Sequence, residues 1–162
     1  MKAIVAVTED WGIGKDNGLL VSIPEDMKFF RETTAGGVVI MGRKTLESFP
    51  GGRPLKNRVN IVITKAEDYA PEGATVVHSV DEAVKAAKEC GNEKVFVIGG
   101  ASVYAQMVHL CDTVYVTKVA ARPEADAFFP NLDEDPMFYI SHASEVKEHE
   151  GTTFRFLTYS KI

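Results

Sequence analysis

From the N-terminus to about residue 120, continuous apolar β-branched runs alternate with stretches whose apolar residues recur at helical spacing. Residues 3–8, 38–41, 59–64, 75–77, 94–98 and 113–119 read as strands. Several are apolar throughout, as in a sheet covered on both faces. Residues 24–34, 43–49, 81–88 and 102–107 read as helices between them. Ser22 and Glu25 have the spacing of a capping box for the first helix, and Pro24 is tolerated in its first turn. Ser79 or Asp81 is placed to cap the third. Two late runs, 138–143 and 153–159, flank Glu150-Gly151 and read as an antiparallel hairpin. The pattern predicts a single-domain α/β fold over residues 1–162. Its central β-sheet is mostly parallel, with about eight strands, an antiparallel C-terminal edge and about four flanking helices.

Residues 9–23 fit no regular element. They hold Gly12, Gly14, Gly18 and Asp16-Asn17, and they are long for a connection from strand to helix. A loop of that length after the first strand, at the end where α/β sheets bind ligands, reads as a functional lid.

Composition changes this picture little: 162 residues, 45% hydrophobic and 25% charged, suit an ordinary globular domain. No apolar run approaches the ~20 residues of a membrane span, so the chain reads as soluble and cytoplasmic, with no membrane partner. Cys90 and Cys111 form no C-x-x-C pair and read as reduced thiols. Net charge −5 argues against a nucleic-acid surface. The charge is unevenly spread. Between Gly42 and Lys65 stand six cations (Arg43, Lys44, Arg53, Lys56, Arg58, Lys65) and one acid, Glu47, whereas Glu124 to Glu150 holds eight acids and one cation, Lys147. The basic segment is either a site for a small anionic ligand or a solvated face.

Three near-motifs fail. Gly12-Ile13-Gly14 has Asn17 where a dinucleotide fingerprint needs its third glycine, and no helix opens there. The stretch from Gly37 to Thr45 has P-loop spacing with one residue too many and a hydrophobic strand in its middle. Gly100-Ala101-Ser102-Val103-Tyr104 lacks the closing glycine of a nucleophile elbow. Two strand–glycine–helix junctions survive. One runs through Ile98, Gly99 and Gly100 into a helix near Ser102, the other through Gly42 into Arg43-Lys44-Thr45. Both are either tight turns or a pair of phosphate sites at helix N-termini. Asp26 lies beside the stripe Ile23, Met27, Phe30 and Thr34, which should face inward. It is either a surface acid serving the helix dipole or a lone carboxylate at the edge of an apolar pocket. His78, His109, His142 and His149 have no metal-ligand spacing, so no metal is expected.

Taken together, the pieces resemble the dihydrofolate reductases of the bacterial chromosomal type. The match follows the chain in order: the first strand, Gly12-Ile13-Gly14 with Asn17-Gly18, Ile23-Pro24 with Asp26, and Val39-Ile40-Met41-Gly42-Arg43 with Thr45, Glu47 and Ser48. It continues through Gly52-Arg53-Pro54-Leu55, Asn60-Ile61-Val62-Ile63-Thr64, Val97-Ile98-Gly99-Gly100 with Val103-Tyr104, Thr117, and Asp126 with Phe129-Pro130. The resemblance implies NADPH-dependent reduction of 7,8-dihydrofolate to tetrahydrofolate by a monomer that also takes antifolate-type molecules. Asp26 would bind the pteridine and promote protonation of N5, and Thr117 would orient Asp26. Ile4, Val5, Met27, Phe30, Phe49, Arg53 and Leu55 would line the folate site, with Arg58 on the substrate's glutamate carboxylate. Ala6, Ile13, Gly14, Asn17 and Leu19 would meet the nicotinamide end of the cofactor. Gly42, Lys44, Thr45, Ile98, Gly99, Gly100, Ala101, Ser102, Val103 and Tyr104 would hold its phosphates. Arg43, Ile63, Thr64 and Lys65 would hold the adenosine 2′-phosphate end, within a subregion spanning residues 37–107. Residues 9–23 would be the lid, and Asp126 would sit in the loop supporting it. The family pattern suggests a cis peptide between Gly99 and Gly100.

The chain departs from the pattern at Leu19-Leu20-Val21, where Leu-Pro-Trp is usual, and at Ser102, which replaces a common basic residue. Two other readings remain open at this point: a related reductase acting on a pyrimidine intermediate of riboflavin synthesis, and a non-catalytic pteridine- or nucleotide-binding protein.

Overall fold

The computed structural model of the chain describes every residue except Asn17 and Val21. In chain order the elements are β1 (Lys2–Val7), β2 (Gly12–Lys15), β3 (Gly18–Leu19), α1 (Pro24–Thr34), β4 (Val38–Gly42), α2 (Arg43–Glu47), β5 (Val59–Ile63) and β6 (Ala74–Val77). There follow α3 (Val80–Glu89), β7 (Val95–Gly99), α4 (Ala101–Met107), β8 (Thr113–Val119), β9 (Ala127–Phe128), β10 (Phe138–Ala143), β11 (Lys147–His149) and β12 (Thr152–Lys161). The main sheet has the order β10-β12-β8-β1-β7-β4-β5-β6. It is parallel from β8 to β6, and β12 runs antiparallel to both β8 and β10.

Two-residue alternation sorts the sheet's apolar side chains into two layers. Ile4, Val39, Met41, Phe96 and Ile98 pack under α1 and α2 with Phe29, Phe30 and Leu46. Ala3, Val5, Val7, Val38, Ile40 and Val97 pack on the other face against Ala83 and Ala87 of α3 and Val103 and Met107 of α4. Strands covered on both sides explain why β4 reads as one apolar run. Among the described residues no helix is long and apolar enough to cross a membrane.

Four local expectations are corrected. The capping box does not form: Ile23 is the N-cap of α1, with no side-chain cap. Ser22 Oγ instead lies 3.6 Å from Met27 Sδ. Met27 does not face inward, being 50% exposed, although Ile23 and Thr34 are buried. The hairpin across Glu150-Gly151 joins β12 to the short, polar β11 rather than to β10. Both turn residues have positive φ, 48° and 83°, as a type I′ hairpin turn requires. Residues 9–23 are not wholly irregular either: β2 pairs with β3 and with the distant β9 in a small antiparallel sheet. The third helix is capped by Ser79, whose Oγ accepts from Glu82 N–H at 3.0 Å, and not by Asp81.

Candidate active site

Asp26 sits in the first turn of α1, across from Thr117 on β8. The Thr117 hydroxyl donates to Asp26 Oδ1 at 2.6 Å, and Thr117 itself is buried. Burial pushes the Asp26 carboxyl above the ordinary carboxylate range, and the Thr117 hydrogen bond opposes part of that rise. A surface acid would show neither feature. Ile4, Phe30, Phe49 and Leu55 belong to one apolar cluster on this face. Val5 does not join them. Strand alternation turns its side chain into the opposite layer, so only its backbone is available here. Tyr104 reaches through from α4 and donates to the carbonyl of Ile4 at 2.7 Å. Burial first, then the Asp26 charge, keeps that phenol protonated.

Arg58 lies before β5. Its Nε donates to the Lys56 carbonyl at 2.8 Å and its Nη1 to Thr34 Oγ1 at 3.1 Å. Partial burial and the neighbouring Arg31 hold its pKa below the usual arginine value. Among the described residues no acid pairs with either guanidinium. Two cations side by side without a carboxylate make a receptor for one. The buried Asn60 side chain fixes this loop, accepting from Leu55 N–H at 3.0 Å and donating to the carbonyls of Leu55 and Arg58 at 2.9 and 3.2 Å. Arg53 is exposed.

The two glycine junctions form one site, because β4 and β7 are neighbours with Met41 opposite Gly99. A Cβ on Gly42 would meet Val103 Cγ2 at 3.3 Å, and one on Gly99 would meet Tyr104 and Thr45 at 3.4–3.5 Å. Gly99 has φ +125°, and the Gly99–Gly100 peptide is cis. Gly42, Thr45, Gly99, Gly100, Ala101, Val103 and Tyr104 are thus brought together, next to Ile98 at the end of β7. Ser102 and Lys44 are exposed, and Ser102 Oγ is bonded to Gln106. Arg43 lies 4.2 Å over the Tyr69 ring and 3.4 Å from Glu47. Ile63 ends β5, followed by Thr64, which accepts from His78 Nδ1 at 2.8 Å, and by the exposed Lys65. These groups crowd the carboxyl ends of β4, β5 and β7, where ligands of such sheets bind. The basic segment is therefore not one local anion site. Arg58 precedes β5 and Lys65 follows it, so five strand residues, about 16 Å, separate two cationic places.

Between β1 and α1, β2 is tied to the loop before β9. Asp16 N–H donates to Asp126 Oδ2 at 2.9 Å, and Asp126 N–H donates to the Gly14 carbonyl at 3.0 Å. A Cβ on Gly14 would fall 2.8 Å from the Gly18 carbonyl, so only glycine fits that crossing. Ile13 packs partly into the core, Ala6 is half-buried beneath, and Leu19 is exposed. Asn17 lies outside the described residues. Sequence reading gave Tyr69 and His78 no such role and took Thr34 only as part of the inward stripe of α1; they support Arg43, Thr64 and Arg58, and only the fold reveals these partners.

The family model described as dihydrofolate reductase matches residues 1–161. The dihydrofolate reductase of Bacillus subtilis is 41% identical over 150 residues, 92% of this chain and 87% of that one. That of Neisseria meningitidis serogroup A is 38% identical, covering 96% and 94%. The structure of the Enterococcus faecalis dihydrofolate reductase complexed with NADP(H) and RAB-propyl superposes with TM-score 0.87 at 36% identity, over 99% of this chain and 95% of that one. With the family model spanning nearly the whole chain and relatives at 38–41% identity over most of both lengths, the chain belongs to the dihydrofolate reductase family, the oxidoreductases that reduce dihydrofolate to tetrahydrofolate with NADPH.

Proposed function

We propose that one site carries the family reaction, with Asp26 as the group that promotes protonation of pteridine N5 and Thr117 as the residue that holds it. The observation carrying this reading is the 2.6 Å Thr117–Asp26 hydrogen bond at the edge of the apolar cluster. Ile4, Phe30, Phe49 and Leu55 exclude water from the ring, with the Val5 backbone beside them and the half-exposed Met27 at the edge. Arg58, backed by Arg31, takes the glutamate carboxylate of dihydrofolate, and Arg53 stands further out. Antifolate-type molecules bind in the same place.

The glycine cradle fits NADPH: a Cβ at Gly42 or Gly99 would press on Val103, Tyr104 or Thr45, so glycine keeps the two junctions close enough for a pyrophosphate to approach the backbone. Gly42, Lys44, Thr45 and the stretch from Ile98 through Tyr104 hold the diphosphate. Arg43, Ile63, Thr64 and Lys65 hold the 2′-phosphate end, so residues 37–107 form the adenosine-binding subregion of a single domain spanning 1–162. Ala6, Ile13, Gly14, Asn17 and Leu19 meet the nicotinamide. When bound, the cofactor supplies hydride from nicotinamide C4 to pteridine C6. The protein aligns the rings, keeps water from the transfer and, through Asp26, favours the protonated substrate. The chain works as a monomer in the cytoplasm.

The test follows NADPH oxidation by absorbance with dihydrofolate present, for the native protein and Asp26→Asn. Turnover that collapses in the variant while both ligands still bind supports the assignment. Binding of both ligands with no turnover by the native protein overturns it in favour of a binding protein.

A further inference from the structure

Trp11 opens the segment between β1 and α1, and its surroundings are unlike those of a loop residue. It is the single tryptophan of the chain and is 3% exposed. Its ring stacks on Phe129 at 6.0 Å and meets the edge of Tyr159 at 5.8 Å. Lys118 Nζ stands 3.9 Å from its centre. Its φ is +65°, a conformation a bulky residue keeps only where its neighbours impose it. The backbone is tied on both sides: Trp11 N–H donates to the Thr8 carbonyl at 3.0 Å and Phe129 N–H to the Trp11 carbonyl at 2.9 Å.

Lys118 is held as firmly. It lies 3.8 Å from Asp133, whose other oxygen accepts from the Tyr159 hydroxyl at 2.6 Å. It also follows Thr117 in β8, so alternation points the two side chains to opposite faces. One face of β8 thus fixes Asp26, and the other grips the root of the lid. A second line of contact runs from Trp11 through Phe129 to Tyr104, 4.8 Å away, at the glycine cradle.

We infer that Trp11 and Lys118 are positioning residues that pin the root of the lid, so that Ile13 and Gly14 stay aligned on the nicotinamide end of the cofactor. The inference rests on the lid reading above.

The experiment measures NADPH release and single-turnover hydride transfer for Lys118→Met, Lys118→Arg and Ile13→Gly, with Trp11 fluorescence as the reporter of its own site. Removing the cation from a desolvated ring should speed NADPH release and slow hydride transfer by about 3- to 30-fold. The dihydrofolate dissociation constant should stay unchanged, Trp11 emission should shift, and Lys118→Arg should restore both rates. Should Lys118→Met weaken both ligands alike, or change neither rate while Ile13→Gly still weakens NADPH, the pinning role is wrong and the lid reading stands. Should Ile13→Gly also leave NADPH untouched, the lid reading fails and takes this inference with it.

Discussion

The clearest chemistry at the residue scale is a conflict built into Asp26. Its first-turn position in α1 favours a charge, while burial against the apolar cluster disfavours one, and burial wins. Asp26→Asn keeps the size and removes the titration. Hydride transfer should fall about 10²–10⁴-fold near neutral pH, the range for a positioned acid–base group. It should recover partly as the pH falls and solvent protonates N5, as pre-steady-state transfer measured across pH will read. Stability should move the opposite way. A carboxyl whose folded pKa is raised gives its full stability below the unfolded value, about 3.9, and loses it as pH rises through the folded one. Native and Asp26→Asn proteins should therefore unfold alike near pH 3, and the variant should be the more stable at pH 7. Urea unfolding at the two pH values checks this, and a variant less stable at pH 7 would mean that desolvation is not the dominant effect on Asp26.

At the scale of elements, hydrogen-bonded ends decide more than patterns do. Ser79→Ala removes the side-chain acceptor at the start of α3 and should cost about 1 kcal/mol, or 2–4 °C in Tm, without touching hydride transfer. Asp126→Ala cuts the tie between Asp16 N–H and the β9 loop. It should speed NADPH release by about fivefold for a bond of ~1 kcal/mol, and stopped-flow release shows whether the small sheet closes the lid. These cases also mark what the sequence can reveal. The span of α1 was legible because Pro24 cannot sit deep in a helix and Phe30 and Thr34 follow at helical spacing. Its cap was not, because Ile23 takes the N-cap position, which leaves Ser22 one place too early to bond the helix N–H groups. The strand β11 has no apolar alternation, and β2 is half glycine. Both exist because β12 and β9 offer them partners, in the case of β9 more than a hundred residues away. Asp26 was legible as a candidate from the helical stripe beside it, but its pairing with Thr117 only through the family pattern, since nothing local in either sequence neighbourhood points to the other. Trp11 carried no motif, and its role depends on Lys118, Phe129 and Tyr159 converging in the fold.

At the scale of the whole molecule, the parallel sheet sets apart two cationic places that the sequence presents as one basic run. Arg58 stands before β5, beside Arg31 of α1, whereas Arg43, Thr64 and Lys65 stand at the carboxyl ends of β4 and β5. On the proposed function, two ligands meet head to head above β1, so their charged tails are held at separate, fixed points. Arg43→Ala should weaken NADPH by about 10- to 150-fold, the equivalent of 1.5–3 kcal/mol for a charged hydrogen bond, and NADH hardly at all. Arg58→Leu should raise KM for dihydrofolate by a similar factor while sparing a pteridine that lacks the glutamate tail. Because the sites share no partner and lie further apart than ~10 Å, the double variant should show, for each ligand, the same loss as the single variant to within about 0.5 kcal/mol. Titrations of each ligand against the four proteins read this directly. A coupling well beyond that margin would mean that the strand transmits strain between the sites, and that the basic segment works as a single unit after all.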